Sequence, residues 1–228
     1  MRTFLFGSLF LVLFSSCNTK KTMQLAEVPN AEITGISDIS QAYLFYNEET
    51  LQPEFNRKNL ISTTHWIFHV DKRLLMEEVV PKIQWLQQKR KKPSPHRNEA
   101  AKNFFSVSNT SLKNLSFIDF TDTKHIFEAS LCAEKTNDSI DNRSFVFNKD
   151  NILIEGRPTS KDSLIIVIEE YKNTNNKPFT IHLNFDQSLT FQEYITAIQF
   201  IKNTIAEGYS IAPVHYFFDS SQLPCRND

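Results

Sequence analysis

Glycine is scarce, at four positions in 228, and no segment matches G-x-G-x-x-G or G-x-x-x-x-G-K-[ST]. Phosphate cradles and close backbone approaches to dinucleotides are built from such loops, so their lack counts against a nucleotide enzyme. No charge of one sign dominates. With 25 basic and 26 acidic residues the net charge is -1, and no global field favours nucleic acid or anionic lipid. The one basic run, Lys89-Arg90-Lys91-Lys92 with Arg97 beyond it, follows a predicted helix and complements the carbonyl end of its dipole, so it reads as a solvated helix terminus ahead of a polyanion site. No apolar run reaches the ~20 residues a spanning helix needs. Cysteine is confined to Cys17, Cys132 and Cys225, and the spacing of the last two fits no zinc signature. What is abundant is apolar: 40% of residues are hydrophobic and 20 are Phe, the composition of a globular chain with enough core for one large domain or two of about 100 residues.

The amino terminus has three parts: a positive start at Arg2, an apolar core from Phe4 to Phe14, and small residues at Ser15-Ser16 before Cys17. These are the parts of a secretion signal. A plain signal has no need of cysteine after its cut, and the arrangement resembles the lipobox of bacterial lipoproteins, with Phe14 where the best-known version prefers Leu. The resemblance implies that residues 1–16 are removed and that Cys17 is acylated, anchoring the mature chain without a spanning segment. The competing reading is a secreted protein whose Cys17 is incidental. Residues 17–40 then read as a polar tether. Asn18, with no acidic cluster after it, points to an outer-membrane position facing the periplasm. In that oxidising compartment Cys132 and Cys225 form either a disulfide or two separately buried thiols.

Residues 144–228 have the clearest pattern. Ser144 to Asn148 and Ile152 to Ile154 flank an Asp150-Asn151 turn and read as a hairpin. A helix follows, capped at Thr159 or Ser160 and apolar at Leu164, Ile165, Val167, Ile168 and Tyr171. Phe179 to Phe185 reads as a buried strand. Thr190 and Glu193 form an S/T-x-x-E capping box for a helix whose apolar stripe runs from Phe191 through Tyr194, Ile195, Ile198 and Ile201 to Ile205. Gly208 stops it, and Ile211 to Phe218 is a last strand, giving β-β-α-β-α-β. Part of this unit occurs twice. Residues 66–87 align without a gap on residues 181–202, with five identities in 22 positions: Asp71 on Asp186, Leu74 on Leu189, Glu78 on Glu193, Ile83 on Ile198 and Gln84 on Gln199. The first copy, within 41–130, is degenerate. Leu75 stands where Thr190 caps, and Pro81 predicts a later start or a bend in its helix. Strands are expected near 43–46, 62–70, 115–120 and 124–127, and a loop or short helix over 91–103. Residues 131–143 are the linker. The fold class is therefore α+β, two units of β-β-α-β-α-β type with helices on one face of a mixed sheet.

The strand-to-helix turn D-x-x-L-x-[hydrophobic]-x-[EQ] at Asp186 to Glu193, with the element order of residues 144–218, resembles the periplasmic domain of the ExbD/TolR family. The likeness implies an envelope domain that binds partner proteins or the cell wall. That family carries a spanning helix with a proton-carrying Asp, which this chain replaces with a cleavable signal, so no proton-coupling role transfers.

Chemistry-bearing clusters are few. His65, His69 and Asp71 alternate onto one strand face as candidate metal ligands, but about 13 Å separates the two histidines along a strand. That is too far for both to reach one ion ~2 Å from each nitrogen unless the strand bends sharply. The repeated Asp71 and Asp186 suit paired catalytic carboxylates or, more simply, the capping of local backbone N–H groups in a turn. No nucleophile motif surrounds Cys132 or Cys225, there is no G-x-S-x-G, and nothing calls for a cofactor. Phe104-Phe105 and Tyr216-Phe217-Phe218 would anchor a partner if exposed. The resulting expectation is a lipid-anchored, non-enzymatic binding or scaffold module for an envelope protein or peptidoglycan. The alternative is an envelope enzyme or small-ligand binder with its site between the two units.

Overall fold

The computed structural model describes residues 21–93, 96, 98–127, 141–154, 156–174, 179–204 and 210–219. Cys17, Cys132, Cys225 and Gly208 lie outside the described residues. The architecture is α+β, with three helices and two mixed six-stranded sheets among the described residues.

In the first half, β1 (Glu27–Val28), β2 (Ile39–Tyr46), β3 (Pro53–Asn56), β4 (His65–Val70), β5 (Asn103–Asn109) and β6 (Asn114–Asp119) make the sheet, and α1 (Met76–Lys91) crosses from β4 to β5. Strands β2, β4 and β5 are parallel, β3 and β6 fold back antiparallel at the two sides, and β1 continues beside β5 past the end of β4. The second sheet has the order β10-β9-β8-β11-β12-β7, built from β7 (Lys124–Phe127), β8 (Asp141–Phe147), β9 (Ile152–Ile154), β10 (Arg157–Thr159), β11 (Phe179–Asp186) and β12 (Ser210–Phe218). Helix α2 (Lys161–Thr174) leads to β11, and α3 (Phe191–Thr204) leads from it to β12.

The sequence repeat is a structural one, and the copies meet at their repeated turns. Met76 N–H donates to Leu189 O at 2.8 Å and Phe191 N–H to Leu74 O at 2.7 Å, while Glu77 N–H donates to Gln187 O at 3.0 Å and Gln192 N–H to Lys72 O at 3.1 Å. Each bond is the image of its partner under the same shift in sequence. The shift also exchanges Leu75 and Thr190, which form an antiparallel bridge, so a local pseudo-two-fold axis passes through that pair. Both helix starts keep their back-bond: Glu78 accepts from Leu75 N–H at 2.9 Å and Glu193 from Thr190 N–H at 2.7 Å. Thr190 Oγ1 additionally accepts from Glu193 N–H at 3.2 Å, a bond that Leu75 has no oxygen to make. Removing either carboxylate, by Glu78→Ala or Glu193→Ala, is expected to cost about 1 kcal/mol of stability in urea unfolding.

Several expectations need correction. The tether does not extend to residue 40. Lys72 N–H donates to Gln24 O, β1 pairs with β5, Ile33 bridges Phe117, and Ala26 and Val28 are buried. Their inward alternation is too short to register as a strand in sequence. The unit boundaries also move, since β7 belongs to the second sheet and β8 begins within the supposed linker. The first half has no counterpart of α2; a loop of residues 57–64 connects β3 to β4 there. Helix α1 begins at Met76 despite Pro81, which lies on its exposed side where water can serve the carbonyl left without a donor. Phe104 and Phe105 are in β5, not in a loop, and both are buried because both faces of that strand are covered. Phe217 and Phe218 are buried too.

The sheet edges are largely closed. Gln84 Nε2 on α1 donates to His125 O at 3.0 Å along β7, and Phe117 N–H of β6 is taken by Ile33 O at 2.8 Å. The remaining edges, β3 and β10, are four and three residues long and each contains a proline, which cannot donate to an added strand.

Candidate functional site

The predicted ligands do not converge. His65 Nδ1 accepts from Lys102 N–H at 3.0 Å, whereas His69 is held elsewhere on the sheet and Asp71 is fully buried at the end of β4. No group of three His, Cys, Asp or Glu side chains able to hold a metal occurs among the described residues. Asp71 does more than cap its turn. Its two oxygens accept from Arg73 Nε and Nη2 at 2.9 Å each, and Gln24 N–H donates to Oδ2 at 3.2 Å. Arg73 also reaches Glu48 at 2.7 Å and lies over the Tyr46 ring. Asp71→Ala leaves the Gln24 and Arg73 backbone N–H groups without their acceptor and the guanidinium with Glu48 alone, and a loss of about 2 kcal/mol in urea unfolding is expected. At the repeated position, Asp186 Oδ1 accepts from Ser188 N–H at 2.7 Å, the turn role predicted for it.

His69 belongs to an array that sequence spacing does not reveal. Ser106 Oγ lies 2.8 Å from its Nδ1 and Gln41 Oε1 lies 3.0 Å from its Nε2, with Tyr43 stacked on the ring and bonded to the same Gln41 oxygen. Because the amide oxygen can only accept, the ring proton sits on Nε2 and Ser106 donates to Nδ1. That is the hydrogen-bond order of a nucleophile and its base. Ser106 is fully buried, however, and burial lowers the His69 pKa to about 4, so the array holds the sheet face together and no substrate reaches its oxygen.

Where the two halves meet, Tyr194 of α3 stands between two histidines of adjacent strands. Its hydroxyl lies 2.9 Å from His125 Nε2 on β7 and 2.9 Å from His215 Nδ1 on β12. All three side chains are buried. Desolvation lowers His125 to about 3, drives His215 well below its ordinary value, and lifts the Tyr194 phenol far above its own, so the trio is neutral at physiological pH. Tyr194 and His215 line a cavity of about 250 Å³ whose other walls include Phe105, Ile118 and Phe120 of the first half and Leu183 and Ile211 of the second. This is the junction site that sequence could suggest in outline. Its residues were not legible, since β7 and β12 are brought together only by the sheet order.

A larger cleft, of about 690 Å³, lies wholly in the second half. Its floor is Phe147, Ile152, Leu189 and Phe200, and its rim includes Lys149 on the hairpin turn and Thr196 on α3. The repeat gives this cleft a counterpart. Leu44 and Phe147 pair with the repeat partners Val70 and Phe185, and across from them stand Phe55 and Ile152. On the helices, Trp85 corresponds to Phe200 and Lys82 to Ala197. The first half thus carries the bulkier residue at Phe55, Trp85 and Lys82, and the smaller one at Leu44 and Val70. Its Phe55 and Trp85 meet edge to face at 5.6 Å, and the Arg57 guanidinium covers them, 4.3 Å from the Trp85 ring centre.

No family model matches the chain, and no curated protein or solved structure is significantly similar to it.

Proposed function

We propose that the chain is a lipid-anchored, non-enzymatic binding module of the bacterial envelope, held at the outer membrane by Cys17, and that an aromatic side chain of a partner envelope protein enters the cleft of its second half. The observation that carries this is the asymmetry of the repeat. One half fills the place with its own Phe55, Trp85 and Arg57, and the other leaves an apolar floor under a polar rim. An aromatic ring suits such a floor because its large apolar area is buried at little cost in conformational entropy. The likeness of residues 144–218 to ExbD/TolR periplasmic domains is a second support. Recognition by strand addition is the weaker route, given how short the free edges are.

Crosslinking in intact cells followed by mass spectrometry tests the role. Ala197→Trp, which plugs the cleft from α3, is expected to abolish the crosslink to a specific envelope protein while far-UV circular dichroism stays unchanged. Crosslinks that persist in the plugged variant, or that run only to peptidoglycan, would overturn the assignment. For the anchor, Cys17→Ser is expected to move the chain from the membrane fraction to the soluble one.

A further inference from the structure

The net charge of -1 hides an uneven distribution. Residues 55–70 and 79–98 hold eight of the 25 basic residues and none of the 26 acidic ones. The fold brings the two stretches together around the tryptophans. Arg57, in the loop after β3, lies 4.3 Å from the Trp85 ring centre, and Lys89 of α1 lies 5.2 Å from the same centre and 5.8 Å from that of Trp66. Arg90 stacks on Trp66 at 3.7 Å and donates to Ser62 O and Thr64 O at 3.1 Å each, which ties the end of α1 to the loop. Ile61, on that loop, is 57% exposed, and its carbonyl accepts from Trp66 Nε1 at 2.6 Å. Acids that flank the two stretches in sequence are committed elsewhere: Glu54 to Lys21, Asp71 to Arg73 and Glu78 to Leu75 N–H. Asp38, two residues before the Ser40 that accepts from Ile61 N–H, and Glu99, beside Arg90 and Lys91, border the face.

Arg57, Lys58, Lys89 and Lys92 make no ion pair and no side-chain hydrogen bond among the described residues. The helix dipole accounts for Lys89 and Lys92, but Arg57 and Lys58 come from a different element. Nor does the repeated fold need a cation here, since Thr204 stands at the place of Lys89 when the register is continued. Like charges gathered on one ring repel until an anion meets them.

We propose that the face formed by Arg57, Lys58, Ile61, Lys89 and Lys92 rests on a bilayer containing anionic phospholipid. The cations meet the headgroup phosphates, and Ile61 enters the boundary between headgroups and acyl chains. A nucleic acid would answer the cations, but its phosphate backbone offers nothing to an exposed isoleucine. The path of the chain points the same way. Lys21, the first described residue, pairs with Glu54 of β3, the strand that ends just before Arg57. Four peptide units join Lys21 to Cys17, a reach of at most about 14 Å. The choice of a bilayer thus rests on the anchor proposed above, which would hold this side of the first half at the surface. The patch orients the chain and does not hold it, because each cation raises partitioning onto an anionic surface only about fivefold.

Both tryptophans lie beneath this face and report on it. The full-length chain is mixed at low salt with vesicles of phosphatidylcholine alone or with about a third phosphatidylglycerol, each carrying a lipid with a nitroxide on its headgroup. Tryptophan quenching is expected to be roughly twofold stronger with phosphatidylglycerol and to lose that gain in about 0.5 M salt. Arg57→Gln with Lys89→Gln should remove the gain. So should Lys58→Glu with Lys92→Glu, exposed positions where the fold, followed by circular dichroism, is expected to be unchanged, and Ile61→Ser should weaken it. Equal quenching in the two vesicle types, or a gain that survives the Lys58 and Lys92 reversals, would overturn the proposal. A gain indifferent to Ile61→Ser would overturn it too, since that marks a surface for any polyanion. Sedimentation with the phosphatidylcholine vesicles in high salt reads the Cys17 anchor separately: a chain that stays in solution there contradicts the anchor, while the quenching comparison still decides the patch.

Discussion

Between pH 6.5 and pH 4.5 the protein is expected to lose several kcal/mol of stability, a large share of what a domain of ordinary stability has. The cause is three buried histidines. His69 titrates in the fold at about 4, His125 at about 3 and His215 well below its ordinary value, each lowered first by desolvation. In the unfolded chain all three take up protons near pH 6.5. As the pH falls through that value the unfolded state binds protons that the native state refuses. Each histidine then removes about 1.4 kcal/mol per pH unit until its folded pKa is reached. The contribution is complete and flat only from about one pH unit above 6.5. Urea unfolding midpoints measured from pH 7.5 to 4.5 should fall steeply below 6.5, and His69→Gln should make that fall shallower. A midpoint independent of pH across this window would mean that the three rings are solvated.

Phe105→Ala is expected to cost about 3–5 kcal/mol and to destabilise both halves at once. Phe105 is fully buried, stacks on Phe120 with ring centres 3.9 Å apart, and meets Phe191 of α3 edge-on at 5.3 Å. One apolar core runs through both sheets, joining Phe68, Leu74 and Phe105 to Phe185, Leu189 and Phe191. The halves should therefore unfold in one transition. Both tryptophans, Trp66 and Trp85, lie in the first half, so fluorescence reports on it while far-UV circular dichroism reports on the whole. The two curves should coincide in the wild type and in Phe105→Ala, with the variant's midpoint displaced. Phe105→Leu, which keeps most of the volume, should cost about 1 kcal/mol. Two separated transitions in the wild type would show that the cores are independent.

The fold was readable where local patterns are strong. The Thr190 to Glu193 capping box, the apolar stripe of α3 and the Asp150-Asn151 turn each announce their element within a few residues. The repeat was legible as well, because Asp71, Leu74 and Glu78 keep their offsets from Asp186, Leu189 and Glu193. Signals that depend on distant chain were not. Strand β5 mixes Phe104 and Phe105 with two serines and two asparagines, and only the covering of both its faces explains them. Strand β1 is too short to show a period at all. His125, Tyr194 and His215 come from three elements, and nothing in their spacing foretells a shared hydroxyl. The reciprocal bonds about Leu75 and Thr190 were equally hidden, since a repeat read in sequence does not say that its copies will pack on each other.

The account rests most on the unfilled cleft of the second half receiving a partner's side chain. A photoreactive residue in place of Thr196, on the cleft rim, tests it directly in intact cells, with the same residue in place of Ile166 on the exposed face of α2 as the reference. The prediction is a crosslink from the Thr196 position to one envelope protein, mapped by mass spectrometry beside an aromatic residue and lost on adding Ala197→Trp, with none from the Ile166 position. Equal labelling from both positions, or a Thr196 crosslink that survives the plugged cleft, would contradict it.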